Sequence, residues 1–387
     1  MRLAIRWSAL ALALLLGIGL APRGAGAANE PYLIGVVVSE SGPAASLGRP
    51  EADSVQLAVD AINKAGGVNG RQLQVTILDD ESNPTAAVND VRKLLDQHAI
   101  AIIGSSITQA TMAVVPIVTQ AHIPLISLAS NAQVIQPVAD RHWIFKMPIN
   151  DFHVAQTLQE FMKKKGLTQV AVVYRDDDYG KTGLSHFLDA GTKLGFTVVD
   201  SEAIAASATD ATTQLTKIKA ANPQAIVVWS TLPSVGVVIK SYHELGLSYP
   251  IYFSDGAANG VFPKQAGAAL NGAYIASTKI NIADQLPASD PQRTVLDTYI
   301  RSFASEYPKD LPVSIFGGFG YDAVHVLAVA LASAKSSDPE KLRSAIEHAS
   351  WDGVTGSYRL SSGDHNGLST FSTVITQIEN NRFTLAK

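Results

Sequence analysis

Residues 99–121 read "AIAIIGSSITQATMAVVPIVTQA", and this stretch contains the repeating unit of the fold. Residues 99–106 begin as an apolar run without polar alternation, which predicts a strand that is buried on both faces. Residues 110–121 then predict a helix. Because a strand with two buried faces belongs in a parallel sheet covered by helices, the stretch predicts an α/β architecture.

The same alternation of strand and helix extends from residue 32 to residue 256. Repeating units of roughly 25–30 residues predict doubly wound parallel sheets. Roughly nine such strands are too many for one comfortable sheet, so we expect two lobes. The stretch "KMPIND" at 146–151 is a candidate crossing between the lobes. Residues 355–387 alternate and are rich in turn residues, which predicts antiparallel strands.

The N-terminus has the three-part plan of a secretory signal peptide. Arg2 and Arg6 precede the apolar run 7–20, and the small residues 25–27 form a cleavage site. The apolar run is short for a membrane span. We therefore assign residues 1–28 to a cleaved signal peptide and expect a soluble periplasmic protein.

The composition narrows the class of protein further. The chain has 387 residues, enough for two domains, and its 47% hydrophobic and 17% charged residues are typical of globular proteins. It contains no cysteine, which excludes disulfides and cysteine-based metal sites. Removal of the leader lowers the net charge from −4 to about −7, and no long basic run is present, so nucleic acid is not an expected partner. No later stretch has 18 uninterrupted apolar residues, and we expect no further membrane span.

In open α/β sheets, ligands bind beyond the carboxyl ends of the strands. That rule selects six loops, at 39–48, 104–109, 128–132, 175–180, 230–234 and 254–259. None of them has the glycine pattern of a phosphate-binding loop, so no nucleotide cofactor is expected. The chain also lacks a G-x-S-x-G elbow and an H-E-x-x-H zinc motif, and we expect neither an enzyme nor a metal site.

The loop 104–109 offers hydroxyl groups and backbone N–H groups at the start of a helix. The amino end of a helix attracts anions, and a carboxylate fits there with Thr108 as a hydroxyl donor. The alternative is that Ser106 or Thr108 caps its own helix. Residues 129–131, after the next strand, have the same two interpretations.

Asp255 follows a strand in the sequence "IYFSD" and is a candidate partner for an ammonium group. Its alternative role is that of a turn residue before Gly256. Tyr179 follows three aspartates, where it would either cover an apolar ligand side chain or lie in solvent. The run "DDDYG" lacks the ligand spacing of a calcium loop.

The segments "IGVVVSESGPAASLG", "AIIGSSIT", "YRDDDYGKTG" and "FGGFGYDAV" appear in an order and spacing that resemble a known family. The chain resembles the periplasmic solute-binding proteins of ABC transporters in the branched-chain amino acid (Leu/Ile/Val) family. The resemblance implies the type I fold, with two lobes joined by three crossing segments and a ligand held in the cleft between them. It implies that lobe 1 contains residues 29–149 plus 276–352, and lobe 2 residues 150–275 plus 353–387.

The resemblance also assigns ligand-binding residues. In lobe 1 it implies two loops for the ligand carboxylate, which consist of Ser106, Ile107, Thr108, Ala129, Ser130 and Asn131. In lobe 2 it implies Tyr179 and Asp255, with Asp255 accepting the ligand ammonium, and it adds the pocket-lining residues Leu47, Thr231 and Phe316. Leu47 and Thr231 stand where leucine-binding members have aromatic residues, and Asn131 stands where they have a hydroxyl residue. The side-chain specificity therefore does not transfer.

These observations favour a binding protein that delivers an amino acid, branched-chain or otherwise hydrophobic, to a membrane ABC permease. Such a protein would act as a monomer and need no cofactor. The alternative within the same fold is an aromatic or keto carboxylate, such as a benzoate derivative, that has no amine. Asp255 argues against that alternative, because a buried carboxylate facing no cation is costly. A ligand-sensing ectodomain or an exported enzyme is the third hypothesis.

Overall fold

The computed structural model describes residues 30–308 and 311–387, so the predicted signal peptide lies outside the described residues. Two sheets of parallel and mixed strands form the two lobes, and a third, two-stranded ribbon lies beside them. The strands are β1 Tyr32–Val38, β2 Leu73–Asp79, β3 Ala101–Gly104, β4 Leu125–Ser127, β5 Ile144–Lys146, β6 Gln169–Arg175, β7 Thr197–Ile204, β8 Ala225–Trp229, β9 Ile251–Phe253, β10 Tyr274–Ser277, β11 Ser350–Asp352, β12 Ser357–Arg359, β13 Val374–Glu379 and β14 Arg382–Leu385.

Helices cover both sheets, as predicted for a doubly wound fold. They are α1 Ala45–Lys64, α2 Pro84–Asp96, α3 Thr108–Ala121, α4 Asp151–Lys164, α5 Asp178–Leu194, α6 Thr212–Ala221, α7 Ser234–Glu244, α8 Phe262–Ala266, α9 Arg293–Glu306, α10 Ile315–Ala334 and α11 Pro339–Glu347.

The sheet of lobe 1 has five strands in the order β2-β1-β3-β4-β5, all of them parallel. In its register, Ile34 of β1 pairs with Val75 on one side and Ala101 on the other. Every residue of β3 is buried, which the apolar run at 99–106 predicted. Because the strands are parallel, their carboxyl ends lie along one edge, where the loops at 39–48, 104–109 and 128–132 follow.

The sheet of lobe 2 has seven strands in the order β14-β13-β10-β9-β8-β6-β7. The strands from β6 to β10 pair in parallel, whereas β13 pairs antiparallel with both β10 and β14. The antiparallel pattern predicted near the end of the chain is therefore present. Strand β8, with the sequence "AIVVW", is completely buried at the centre of this sheet.

The chain passes between the lobes three times. The first passage lies between β5 and α4, in the interval that contains residue 150. The predicted change at residue 276 falls inside β10, and the one at residue 353 falls between the paired strands β11 and β12. The strands place these later passages after Ser277 and between residues 359 and 374. The signal for β10 is weak because its four residues, "YIAS", form no Val/Ile run.

Helix α10 is long and apolar enough to cross a membrane by length and composition, and it is the single such helix among the described residues. Most of it is buried inside the fold, as in the core helix of a globular domain. It packs closely along α1, because a Cβ added at Gly320 would lie 2.7 Å from the carbonyl oxygen of Glu51. We therefore interpret α10 as the core helix of lobe 1.

A buried loop fastens the first passage between the lobes. The Asn366 side chain donates to the carbonyl oxygens of Lys146 and Pro148, each at 2.9 Å. The backbone of Lys146 donates in turn to the His365 carbonyl at 3.0 Å. Because Asn366 is fully buried, these bonds are shielded from water and fix the path of the crossing segment.

We expect Asn366→Ala to lower the free energy of unfolding by about 1–3 kcal/mol, because the mutation removes the side-chain donor to the buried Lys146 carbonyl and one of the two donors to the Pro148 carbonyl. Asn89→Ala is the matched control, since Asn89 is exposed on α2, and it should change stability by no more than about 0.5 kcal/mol. Chemical denaturation of the two variants measures both values. Equal stability of both variants would show that the loop does not fasten the crossing.

Candidate ligand-binding site

The amino end of α3 is open on lobe 1. Gly104 leaves β3 with a φ of 125°, a backbone conformation that favours glycine. Ile107 is the N-cap of the helix and makes no side-chain capping bond. Thr111 N donates to Ile107 O at 3.0 Å, which leaves the N–H groups of residues 108–110 without an acceptor in the helix. Neither Ser106 nor Thr108 caps α3, so the capping alternative is excluded.

The serines of this loop turn inward. Ser106 Oγ donates to Glu51 and accepts a bond from Ser39 N at 3.0 Å. Ser105 Oγ donates to Asp80. The hydroxyl of Thr108 makes no hydrogen bond with any described residue. Thr108 and the free N–H groups of the first helical turn are therefore the donors that this loop offers to an anion.

Glu51 lies on α1 beneath this loop and is completely buried. Burial raises its pKa well above the ordinary value of 4.5, although the bond from Ser106 opposes the shift and nearby Asp80 adds to it. Among the described residues, Glu51 Oε1 has no hydrogen-bond partner. Glu51 is therefore held in its neutral, protonated form over a wider pH range than an exposed glutamate.

Asp255 lies across the cleft, at the end of β9 in lobe 2, and is 3% exposed. Tyr179 Oη donates to Asp255 Oδ1 at 2.9 Å, and Ser130 Oγ of lobe 1 donates to Asp255 Oδ2 at 3.4 Å. Gly256 N donates to Tyr179 Oη at 3.2 Å, so the phenol is fixed between the backbone and the carboxylate. This cluster brings three of the predicted residues together from two lobes.

The charge of Asp255 is only partly compensated. Burial raises its pKa to about 6, and the hydrogen bond from Tyr179 and the positive charge of Lys146 oppose that shift. Lys146 is completely buried as well, and burial lowers its pKa to about 7. Its Nζ donates to three carbonyl oxygens, those of Ser130, Pro148 and Ile149, and makes no direct bond to Asp255. Asp255 therefore retains capacity to accept a hydrogen bond from a cation.

One cavity lies between the lobes, next to these groups. Its walls are formed by Leu47, Ser106, Ile107, Thr108, Leu128, Ser130, Arg175, Tyr179, Thr231, Gly256 and Phe316. Its volume is about 20 Å³, room for about one water molecule. The lobes are in direct contact around it, since Asn259 Nδ2 of lobe 2 donates to Ser46 O of lobe 1 at 2.6 Å. The structure is therefore a closed arrangement of the two lobes.

Eight of the eleven predicted site residues line this cavity. Asp255 lies immediately behind the wall, where Tyr179 and Ser130 bond to it. Ala129 and Asn131 do not line the cavity. Ala129 packs into the core behind the sheet of lobe 1, and the Asn131 side chain donates to Thr182 Oγ1 of lobe 2 at 3.0 Å. Asn131 thus joins the lobes beside the cavity.

Sequence reasoning missed three groups of this site. Arg175 is a wall residue, and the sequence presented it only as part of the charged loop 175–180. Glu51 lies inside α1, which starts at Ala45 and places Glu51 on a buried face. Lys146 lies in the predicted crossing segment 146–151, and the sequence gives no sign that its backbone bonds to His365 and Asn366. Among the described residues no group of His, Asp and Glu side chains forms a metal site.

A family model described as "Periplasmic binding protein" matches residues 31–381. The chain belongs to this family. Its members are substrate-binding proteins of transporters rather than enzymes, and this binding protein is accordingly not an enzyme.

Individual relatives agree in length and fold. The Leu/Ile/Val-binding protein of Escherichia coli is 27% identical over 329 residues, which cover 84% of this chain and 86% of that protein. An extracellular ligand-binding receptor from Rhodopseudomonas palustris HaA2 is 28% identical with a TM-score of 0.86, covering 92% of this chain and 99% of its own. LivJ from Streptococcus pneumoniae, solved in complex with isoleucine, is 26% identical with a TM-score of 0.80, covering 92% and 99%. The predicted type I fold and family are confirmed.

We expect Glu51→Gln to stabilise the binding protein more at pH 8 than at pH 5. The folded state holds the Glu51 proton to a higher pH than the unfolded state, so wild-type stability falls as the pH rises above about 4.5. The neutral amide lacks this penalty.

Thermal unfolding of wild type and variant at both pH values measures the effect. Glu81→Gln, at an exposed position, is the control and should show no such difference. A Glu51→Gln effect of the same size at pH 5 and pH 8 would contradict the raised pKa of Glu51.

Proposed function

We propose that this protein is the periplasmic substrate-binding component of an ABC importer, and that it captures an amino acid between its lobes. One observation carries the proposal: an open helix amino end on lobe 1 and a buried, partly compensated carboxylate on lobe 2 meet at one cavity. The two groups of an α-amino acid, a carboxylate and an ammonium, match these two ends in charge.

The ligand carboxylate would bind at the start of α3. The free N–H groups of residues 108–110 point along the helix axis, and the partial positive charge of the helix end favours an anion there. Thr108 adds a hydroxyl donor without a competing partner. This arrangement supports a carboxylate at the cavity wall of lobe 1.

The ligand ammonium would bind to Asp255. A charge-assisted bond from an ammonium is the interaction that offsets the burial of a carboxylate. Ser130 and Tyr179 already orient both oxygens of Asp255. This arrangement supports a ligand with an amine over an aromatic or keto carboxylate, which would leave Asp255 facing no cation.

The rest of the ligand would contact Leu47 and Phe316, which supply apolar wall in lobe 1. The names of the relatives above support an amino acid with an apolar side chain. Because the closed cavity is smaller than any amino acid, the lobes must separate for entry and then close over the ligand. The closed form would be the one that a membrane permease recognises, and a monomer suffices for this cycle.

Export would precede this function. The segment 1–28 has the sequence plan of a signal peptide, and the family is periplasmic. We propose that the leader is cleaved and that the mature chain works free in the periplasm.

We expect Asp255→Asn to weaken binding of the amino-acid ligand by on the order of 2–5 kcal/mol, because the mutation removes the negative charge of one partner of a buried charge pair. Differential scanning fluorimetry against amino acids and aromatic acids identifies the ligand, and calorimetric titration then compares the variants. Asp96→Asn, at an exposed position on α2, is the control and should bind as wild type does. Unchanged affinity of Asp255→Asn would favour the amine-free alternative, and the failure of every amino acid to stabilise the protein would contradict the proposal.

The affinity should also depend on pH. The ligand ammonium binds the ionised form of Asp255, whose pKa is about 6 without ligand. The contribution of Asp255 to the affinity should therefore stay constant above that pH. Below it the affinity should fall, by up to about tenfold per pH unit. Lys146, with a pKa near 7, titrates in the same cluster, so the comparison with Asp255→Asn isolates the contribution of Asp255. If the affinities of wild type and Asp255→Asn changed with pH in the same way, the result would contradict the role assigned to Asp255.

A further inference from the structure

Arg175 is a cation in the wall of the cavity, and neither carboxylate nor ammonium recognition uses it. It ends β6 in lobe 2 and faces the cavity together with Thr231, opposite Leu47 and Ile107 of lobe 1. Its side chain is 13% exposed. A guanidinium in such a place is largely removed from water and needs hydrogen-bond partners.

The position of Arg175 is fixed by two neighbours. Its Nε donates to Asp177, and its Nη1 donates to Thr231 Oγ1. Asp177 is itself held, because its other carboxylate oxygen caps α5 by accepting from Gly180 N at 3.0 Å. The guanidinium is therefore pre-organised rather than free to swing, which reduces the entropy that a ligand contact would cost.

The guanidinium still has donors to offer. It carries five N–H groups in a planar fork, and the two bonds above use two of them. Nη2 makes no hydrogen bond within residues 30–308 and 311–387. A purely aliphatic ligand side chain would cover these donors without pairing them, which is unfavourable for buried polar groups.

Space is also available beyond Arg175. A second hollow of about 230 Å³ is lined by Arg175 and Ile107 and continues to Pro43, Gln109 and Ala206. Because Arg175 and Ile107 line both spaces, they form the boundary between the cavity and this hollow. A ligand side chain that reaches Arg175 can therefore extend along it instead of meeting a closed wall.

We propose that Arg175 selects amino acids whose side chain has an apolar stem and ends in an oxygen acceptor, a carboxylate or an amide. Leu47 and Phe316 contact the stem, and the unused N–H groups of Arg175 bind the terminal oxygen. This inference rests on the proposed function and refines its substrate class, since the aliphatic amino acids named for the relatives have no such oxygen.

Calorimetric titration of wild type and Arg175→Met tests the assignment, with L-glutamate, L-glutamine and L-2-aminoadipate set against L-norleucine and L-leucine. Methionine keeps an unbranched apolar stem, although its chain is shorter than that of arginine, and it removes the N–H donors. Wild type should bind the best oxygen-ended ligand about tenfold or more tightly than the best apolar one. Arg175→Met should lose that preference and bind the apolar ligands at least as well as wild type does.

Arg301→Met, at an exposed position on α9, is the matched control and should bind as wild type does. If Arg175→Met does not fold, Arg175→Lys serves instead, because lysine keeps the charge but loses the planar fork, and it should weaken the preference. A wild-type preference for leucine or norleucine that survives in the Arg175 variant would overturn the inference and leave the proposed function standing. Failure of the folded wild type to bind any amino acid would overturn both.

Discussion

The buried carboxylate of Asp255 is the interaction on which the rest of the site depends. It lies at the contact between the lobes, where Ser130 approaches from lobe 1 and Tyr179 from lobe 2. Burial favours its protonation, and the charge of Lys146 only partly opposes that tendency. A binding protein can use such a group because its energy is unfavourable until a cation is enclosed. Closure of the lobes on an ammonium-bearing ligand would then be favoured over closure without one.

The two sheets make this juxtaposition possible. In each lobe the parallel strands end at one edge, and the two edges face each other across the cleft. The open turn at Thr108 and the carboxylate at Asp255 follow strands β3 and β9, which belong to different sheets. In the proposed function neither loop alone would suffice for an amino acid, and the crossing segments join the two lobes that carry the loops. The bonds from Asn366 to the first crossing would therefore support the proposed site although they lie outside the cavity.

The elements that could be predicted from the sequence are those with a clear pattern within a few consecutive residues. The Val/Ile runs of β6 and β8 and the strand-to-helix joint at 104–108 predict buried parallel strands with ligand loops at their ends. Strands β5 and β10 have no comparable local signal, because their sequences, "IFK" and "YIAS", form no Val/Ile run and they are defined by pairing with neighbouring strands.

The site was predictable to a similar degree. Loop positions followed from the strand-end rule, but side-chain directions did not. Ser106 turned inward because buried Glu51 accepts its hydroxyl, and Arg175 reached the cavity because Asp177 and Thr231 hold it there. Mass spectrometry of the small molecule released from the purified protein by denaturation tests the central claim most directly. The account predicts an unmodified α-amino acid, and recovery of a carboxylic acid without an amine would contradict it.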